Sequence, residues 1–177
     1  MHLFITLLFP FIAFSQSDYS IQIIKSKKEL YLYQGEKLEK TYSILELGQN
    51  PEEDKIKKGS PEEPEHYRTP HGEFFICQKN PVSQYYKSFQ LSYPSENHAR
   101  AALRDGIISQ IEYTRILSAL VHKNCPPHDT PLGGLVSIHG EIPKDKPYKR
   151  GCVVLKNMDI DELWSKIELG SLVQIEW

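Results

Sequence analysis

Cysteine is scarce in this chain, with three among 177 residues, at Cys77, Cys125 and Cys152. None stands in a CxxC pair, so a zinc knuckle or a dithiol redox centre is not expected. A dominant charge is lacking too. Lys and Arg total 21 against 23 Asp and Glu, a formal charge of -2, and the nearest thing to a basic block, Lys144 to Arg150, is broken by Asp145 and Pro147. That balance argues against nucleic acid as the main partner. No apolar run reaches the roughly 20 residues that a membrane-spanning helix requires. No repeat is visible, and no HExxH or equivalent spacing links His66, His71, His98, His122, His128 and His139. Metal binding is therefore not expected.

What is present is ordinary globular composition, 40% hydrophobic and 25% charged, in a length that suits one domain with a sizeable core. The chain starts with a short apolar stretch free of acidic residues, Met1 to Ser15. Ala13-Phe14-Ser15 places small residues where a signal peptidase reads, with cleavage before Gln16. The expected organisation is a signal peptide over 1–15 and one domain over 16–177, exported to the periplasm or cell envelope, with no membrane span once the signal is removed. A buried N-terminal strand is the alternative. An odd cysteine count in an exported chain leaves at least one thiol free, or pairs chains with each other.

Strand signals dominate. Ser20 to Ile24, Glu29 to Tyr33 and a stretch centred on Lys40 to Ile44 read as three strands, with Gln34-Gly35-Glu36 as a turn between the last two. Gln49 to Pro64 is rich in Pro, Glu, Lys and Gly and reads as an exposed loop. Strands are expected again at Glu73–Cys77, Ser88–Tyr93, Leu135–Ile138, Val153–Leu155 and Leu172–Ile175. Helical spacing covers Asn97 to His122, divided by Gly106, and Asp159 to Ile167, with Asn157 or Asp159 as the cap of the latter. Cys77, in an apolar strand, reads as a core residue, and pairing with Cys125 is the alternative. Tyr85, Tyr86 and Tyr93 suit a peptide groove or plain packing, and Trp164 suits the core.

Two short stretches carry chemistry, Ser137-Ile138-His139-Gly140 and Arg150-Gly151-Cys152-Val153. Each sets a reactive side chain at the edge of an apolar strand beside a glycine, which permits close backbone approach and an oxyanion site. A cysteine nucleophile needs a base, because a free thiol titrates near about 8.5, and histidine is suited to that near neutral pH. Taken alone, the pattern is weak, since a lone cysteine is more often a buried small hydrophobe and a lone histidine more often a structural residue.

The ordered set of motifs goes further. His139-Gly140, then Gly151-Cys152-Val153-Val154-Leu155-Lys156-Asn157 and Asp159-Ile160-Asp161-Glu162-Leu163 resemble the L,D-transpeptidase catalytic domain. So do Arg68-Thr69-Pro70-His71-Gly72-Glu73-Phe74, Asn80-Pro81, Leu91-Ser92-Tyr93-Pro94, Thr130 to Gly134 and Gly170 to Ile175. The resemblance implies a mainly β fold, a curved mixed sheet or sandwich with a helical insertion, and no cofactor. It implies Cys152 as nucleophile on a peptidoglycan stem tetrapeptide and His139 as base, with Gly151 and Gly140 at the oxyanion or substrate site. The acyl group would pass to an amine, including that of an envelope protein. Transfer to water would give a carboxypeptidase or amidase, and a non-catalytic wall-binding module is a further alternative. Lys149-Arg150 stands where the family often has Ser or Thr and then His, and Val154 where it often has Arg. Those departures bear on substrate polarity and acceptor choice, and Arg150 becomes a candidate for binding a stem-peptide carboxylate.

Overall fold

The computed structural model describes residues 18–48, 68–143 and 151–177. The expected signal peptide, the expected exposed loop from Gln49 to Pro64 and the candidate Arg150 lie outside those residues.

The first strands form a meander: β1 (Tyr19–Ile24), β2 (Glu29–Gln34) and β3 (Lys37–Ser43), each antiparallel to the next. Gly35, at φ +58, turns β2 into β3. Then come β4 (Glu46–Leu47), β5 (Gly72–Ser83), β6 (Tyr86–Leu91), α1 (Glu96–Arg104), α2 (Gln110–Val121), β7 (Ser137–His139), β8 (Val153–Val154), α3 (Asn157–Trp164) and β9 (Leu172–Glu176). Among the described residues nine strands make one curled mixed sheet in the order β3-β2-β1-β9-β5-β6-β7-β8-β4. Strand β5 bridges its two parts, pairing with β9 through Gly72–Phe75 and with β6 from Ile76 to Ser83. Two pairings are parallel, β1 with β9 and β7 with β8.

Strand side chains alternate between faces, and the buried ones share one side. Ile21, Ile23, Leu30, Leu32, Phe74, Ile76, Phe89, Leu91, Ile138, Val173 and Ile175 meet Ile160 and Leu163 of α3 in the main core. Each such side chain contributes about 1.5–3 kcal/mol on burial. Trp164 is partly buried against that core and tilts onto Phe89, with ring centroids 5.1 Å apart.

The helical insertion has a small core of its own, built from Ala99, Ala102, Ile108 and Ile116. Gly106, at φ +71, separates the two helices, and Ser109 and Glu112 form a capping box at the start of α2. A disulfide between Cys77 and Cys125 ties the segment after α2 to β5. Cys77 is therefore half of a cross-link and not simply a core thiol, and Cys152 lies outside that disulfide. Among the described residues no helix is long and apolar enough to cross a membrane.

Several elements differ from the sequence reading, which does not anticipate β4 at all. Strand β5 continues past Pro81 to Ser83, because a register irregularity between Asn80 and Ser83 absorbs a residue that has no N–H to donate. Strand β7 starts only at Ser137, since Leu135 is left-handed at φ +60. Helix α3 runs from Asn157 to Trp164 with Lys156 at its N-cap. Asn157 instead accepts, through Oδ1, the backbone N–H of Glu141 at 2.9 Å.

Candidate active site

His139 ends β7, and Cys152 directly precedes β8. The parallel register Ile138↔Val153 and His139↔Val154 lays the two stretches side by side. Ile138 and Val153 are fully buried in the core. Alternation then turns Ser137 and His139 the other way, into a cavity of about 320 Å³ that Cys152 also lines. Asn80, Ser83, Gln84, Tyr85, Ser88, Gln90 and Leu135 complete its described wall. Apart from Leu135 these added side chains are polar or aromatic, a composition suited to the amides of a peptide. Cys152 and His139 are 2% and 1% exposed, so water has little access to either.

Hydrogen bonding decides which imidazole nitrogen can act. Nδ1 of His139 lies 2.7 Å from the carbonyl oxygen of Gly140. A carbonyl only accepts, so Nδ1 carries the proton and the neutral ring offers its lone pair at Nε2. On the other side, the thiol of Cys152 points toward the carbonyl of Leu135, at 3.9 Å.

The backbone around Cys152 is clamped from behind. Its carbonyl oxygen accepts the N–H of Gly48 at 3.1 Å and the hydroxyl of Thr69 at 3.4 Å. The same Gly48 N–H also reaches the Thr69 hydroxyl oxygen at 2.8 Å, and Thr69 N–H donates to Gly48 O at 2.9 Å. Gly151 is buried at φ +89, a conformation that favours glycine. Gly140 is required for a different reason. A Cβ there would stand 2.9 Å from Cβ of Tyr86 and inside the contact distance of Asn157 Oδ1.

The structure thus brings Cys152, His139 and Gly151 together, and places Gly140 beside them through its carbonyl and its close packing. Sequence reasoning did not assign Gly48 or Thr69 a place at the site. It left Tyr85 between groove and packing, although this ring stacks on His139 with centroids 4.6 Å apart. Thr69 was legible only as part of a motif. Gly48 carried no local signal, because its constraint comes from residue 151.

The profile of the L,D-transpeptidase catalytic domain matches residues 18–175. The chain belongs to the L,D-transpeptidase catalytic-domain family. No curated protein is significantly similar in sequence. Among solved structures, this L,D-transpeptidase domain is similar to Bdellovibrio bacteriovorus Bd1075 at 20% identity and a TM-score of 0.54, over 90% of this chain and 48% of that one. It is also similar to the helical cell shape determining protein Pgp2 of Campylobacter jejuni, as its K307A mutant, at 18% identity and a TM-score of 0.55, over 92% and 48%. At such identities the likeness concerns the fold. The domain spans about half the length of these structural neighbours.

Proposed function

We propose that the protein is a peptidoglycan acyltransferase in which Cys152 is the nucleophile and His139 the general base. The observation that carries this reading is one cavity lined by both side chains, with His139 Nδ1 engaged by the Gly140 carbonyl so that Nε2 is the basic nitrogen. His139 takes the thiol proton, and the sulfur attacks the carbonyl that joins the diamino acid to D-alanine in a stem tetrapeptide. The backbone N–H of Cys152, presented by Gly151, stabilises the tetrahedral oxyanion. The intermediate collapses to a thioester, and the imidazolium returns its proton to the departing D-alanine amine. An amine then attacks the thioester, giving a new amide and the free thiol. The amine belongs to a second stem peptide or to an envelope protein, and water in its place gives a carboxypeptidase. Arg150 is proposed to bind a carboxylate of the stem peptide. This chemistry requires an exported protein in the periplasm or cell envelope, consistent with a signal peptide over residues 1–15.

The test is to incubate residues 16–177 with disaccharide-tetrapeptides and weigh the products, with Cys152→Ala alongside. Cys152-dependent dimers support transpeptidation. Loss of D-alanine alone moves the activity to hydrolysis. No Cys152-dependent product would leave a non-catalytic wall-binding role as the better account.

A further inference from the structure

The cavity that holds Cys152 and His139 is walled by a residue outside the nucleophile–base pair. Tyr85 stands where β5 turns into β6 and is 3% exposed. Its ring lies on the imidazole of His139 with an interplanar angle of 24°. Such a flat contact restrains rotation of the imidazole, and the negative face of the phenol ring favours a cation against it.

The hairpin tip is held from outside. Tyr86, the next residue, sits at φ +73, and its hydroxyl lies 2.7 and 2.9 Å from the two carboxylate oxygens of Asp161 on α3. Lys87 donates to the same carboxylate at 2.6 Å. From the other side, the missing side chain of Gly140 lets the tip settle. A Cβ there would meet the Tyr85 carbonyl oxygen at 3.2 Å. Helix α3 therefore anchors the tip, and Gly140 allows it to press Tyr85 onto His139.

We propose that Tyr85 is a positioning residue that keeps the imidazole of His139 aligned with Cys152 and stabilises the imidazolium formed when the thiol proton is taken up. This rests on the reading of Cys152 and His139 as nucleophile and base. Burial first, and the charge of Cys152 second, push the Tyr85 phenol above its ordinary pKa, so the ring stays neutral while the thiol ionises. The titratable groups that share the cavity with His139 are Tyr85 from the hairpin and Cys152 from the approach to β8. Among its described lining residues there is no Asp, Glu, Lys or Arg.

The test is the rate of Cys152 alkylation by iodoacetamide across pH, on the full chain with its disulfide intact. His139→Gln, Tyr85→Leu, Tyr85→Phe and Asp161→Asn are compared with the wild type, each with a melting curve. Tyr85→Leu is expected to react about three- to tenfold more slowly near pH 6.5 and at the wild-type rate near pH 10, where the thiol ionises unaided. Tyr85→Phe should retain the wild-type profile, and Asp161→Asn should shift it in the direction of Tyr85→Leu but less. A wild-type profile for Tyr85→Leu, or an equal loss at both ends of the range, overturns the proposal. So does a Tyr85→Phe profile matching that of Tyr85→Leu, which would assign the effect to the hydroxyl. If Tyr85→Leu does not fold, an unshifted Asp161→Asn overturns it. A profile unchanged by His139→Gln would bring down the nucleophile–base reading itself. A shift in His139→Gln with none in Tyr85→Leu would bring down the role of Tyr85 alone.

Discussion

Gly48 and Gly151 touch backbone to backbone: a Cβ on Gly48 would stand 2.5 Å from Cα of Gly151 and 2.9 Å from the Thr69 nitrogen. Neither neighbour can turn aside, since both contacts are main chain. Gly48→Ala should therefore displace the Gly151-Cys152 peptide, at a cost of about 1–3 kcal/mol of stability from overpacking. Acylation of Cys152 by a carbapenem, followed by mass, should fall by at least about tenfold, because a small misplacement of a reacting group is expensive. Wild-type acylation in Gly48→Ala would show that the nucleophile does not depend on this contact.

Thr69 is the second half of the clamp, 1% exposed, with its hydroxyl between Gly48 N and Cys152 O. Thr69→Val keeps the shape and removes both hydroxyl bonds, while the Gly48 N–H retains the Cys152 carbonyl. The expected loss is about 1–2 kcal/mol in urea unfolding, and Thr69→Ser should recover most of it. Wild-type stability in Thr69→Val with a loss in Thr69→Ser would mean that the methyl group carries the role.

The disulfide closes a span of 48 positions between Cys77 and Cys125. Removing it as Cys77→Ser with Cys125→Ser should lower stability by about 4 kcal/mol on loop-closure grounds. Below the lowered melting temperature, Cys152 alkylation should be unaffected, since neither cysteine lines the cavity. Thiol titration of the unfolded protein should find one reactive group without reductant and three with it.

His71 supplies a pH dependence with a definite sign. Burial first, and the Lys25 ammonium second, hold its pKa below the ordinary histidine value. Lys25 Nζ donates to His71 Nε2 at 2.8 Å, an arrangement that requires a neutral ring there. As pH falls through the unfolded-state value of about 6.5, the unfolded chain takes up a proton that the folded one resists. Stability is thus full above that pH and declines as pH falls toward the lower folded-state value. His71→Gln should reduce the difference in melting temperature between pH 7.5 and 5.5. A larger difference in the variant would reverse the sign and refute the account.

Periodicity made the frame of the fold legible. Ile21, Ile23, Leu30 and Leu32 announce their strands by alternation, and Gly106 marks the break between two helices whose apolar spacing is plain. Cys152 and His139 stood out because each is a reactive group beside glycine at the end of an apolar run. What escaped was non-local. Strand β5 survives Pro81 because its pairing shifts register there, which no window of sequence reveals. Leu135 is expected to extend a strand, yet it sits at φ +60 with its carbonyl 3.9 Å from the Cys152 thiol. Asn157 looks like a cap but spends its carbonyl oxygen on Glu141.

Strand β9 lies between β1 and β5, parallel to the first and antiparallel to the second. Until those five residues arrive, the two flanking strands expose unsatisfied edges. The sheet pairing that links β1 to β5 therefore cannot form until β9 is in place. Closure is a late step with high contact order, so folding should be slow for a chain of this size. Any truncation before Leu172 should leave two adhesive edges in place of a finished domain.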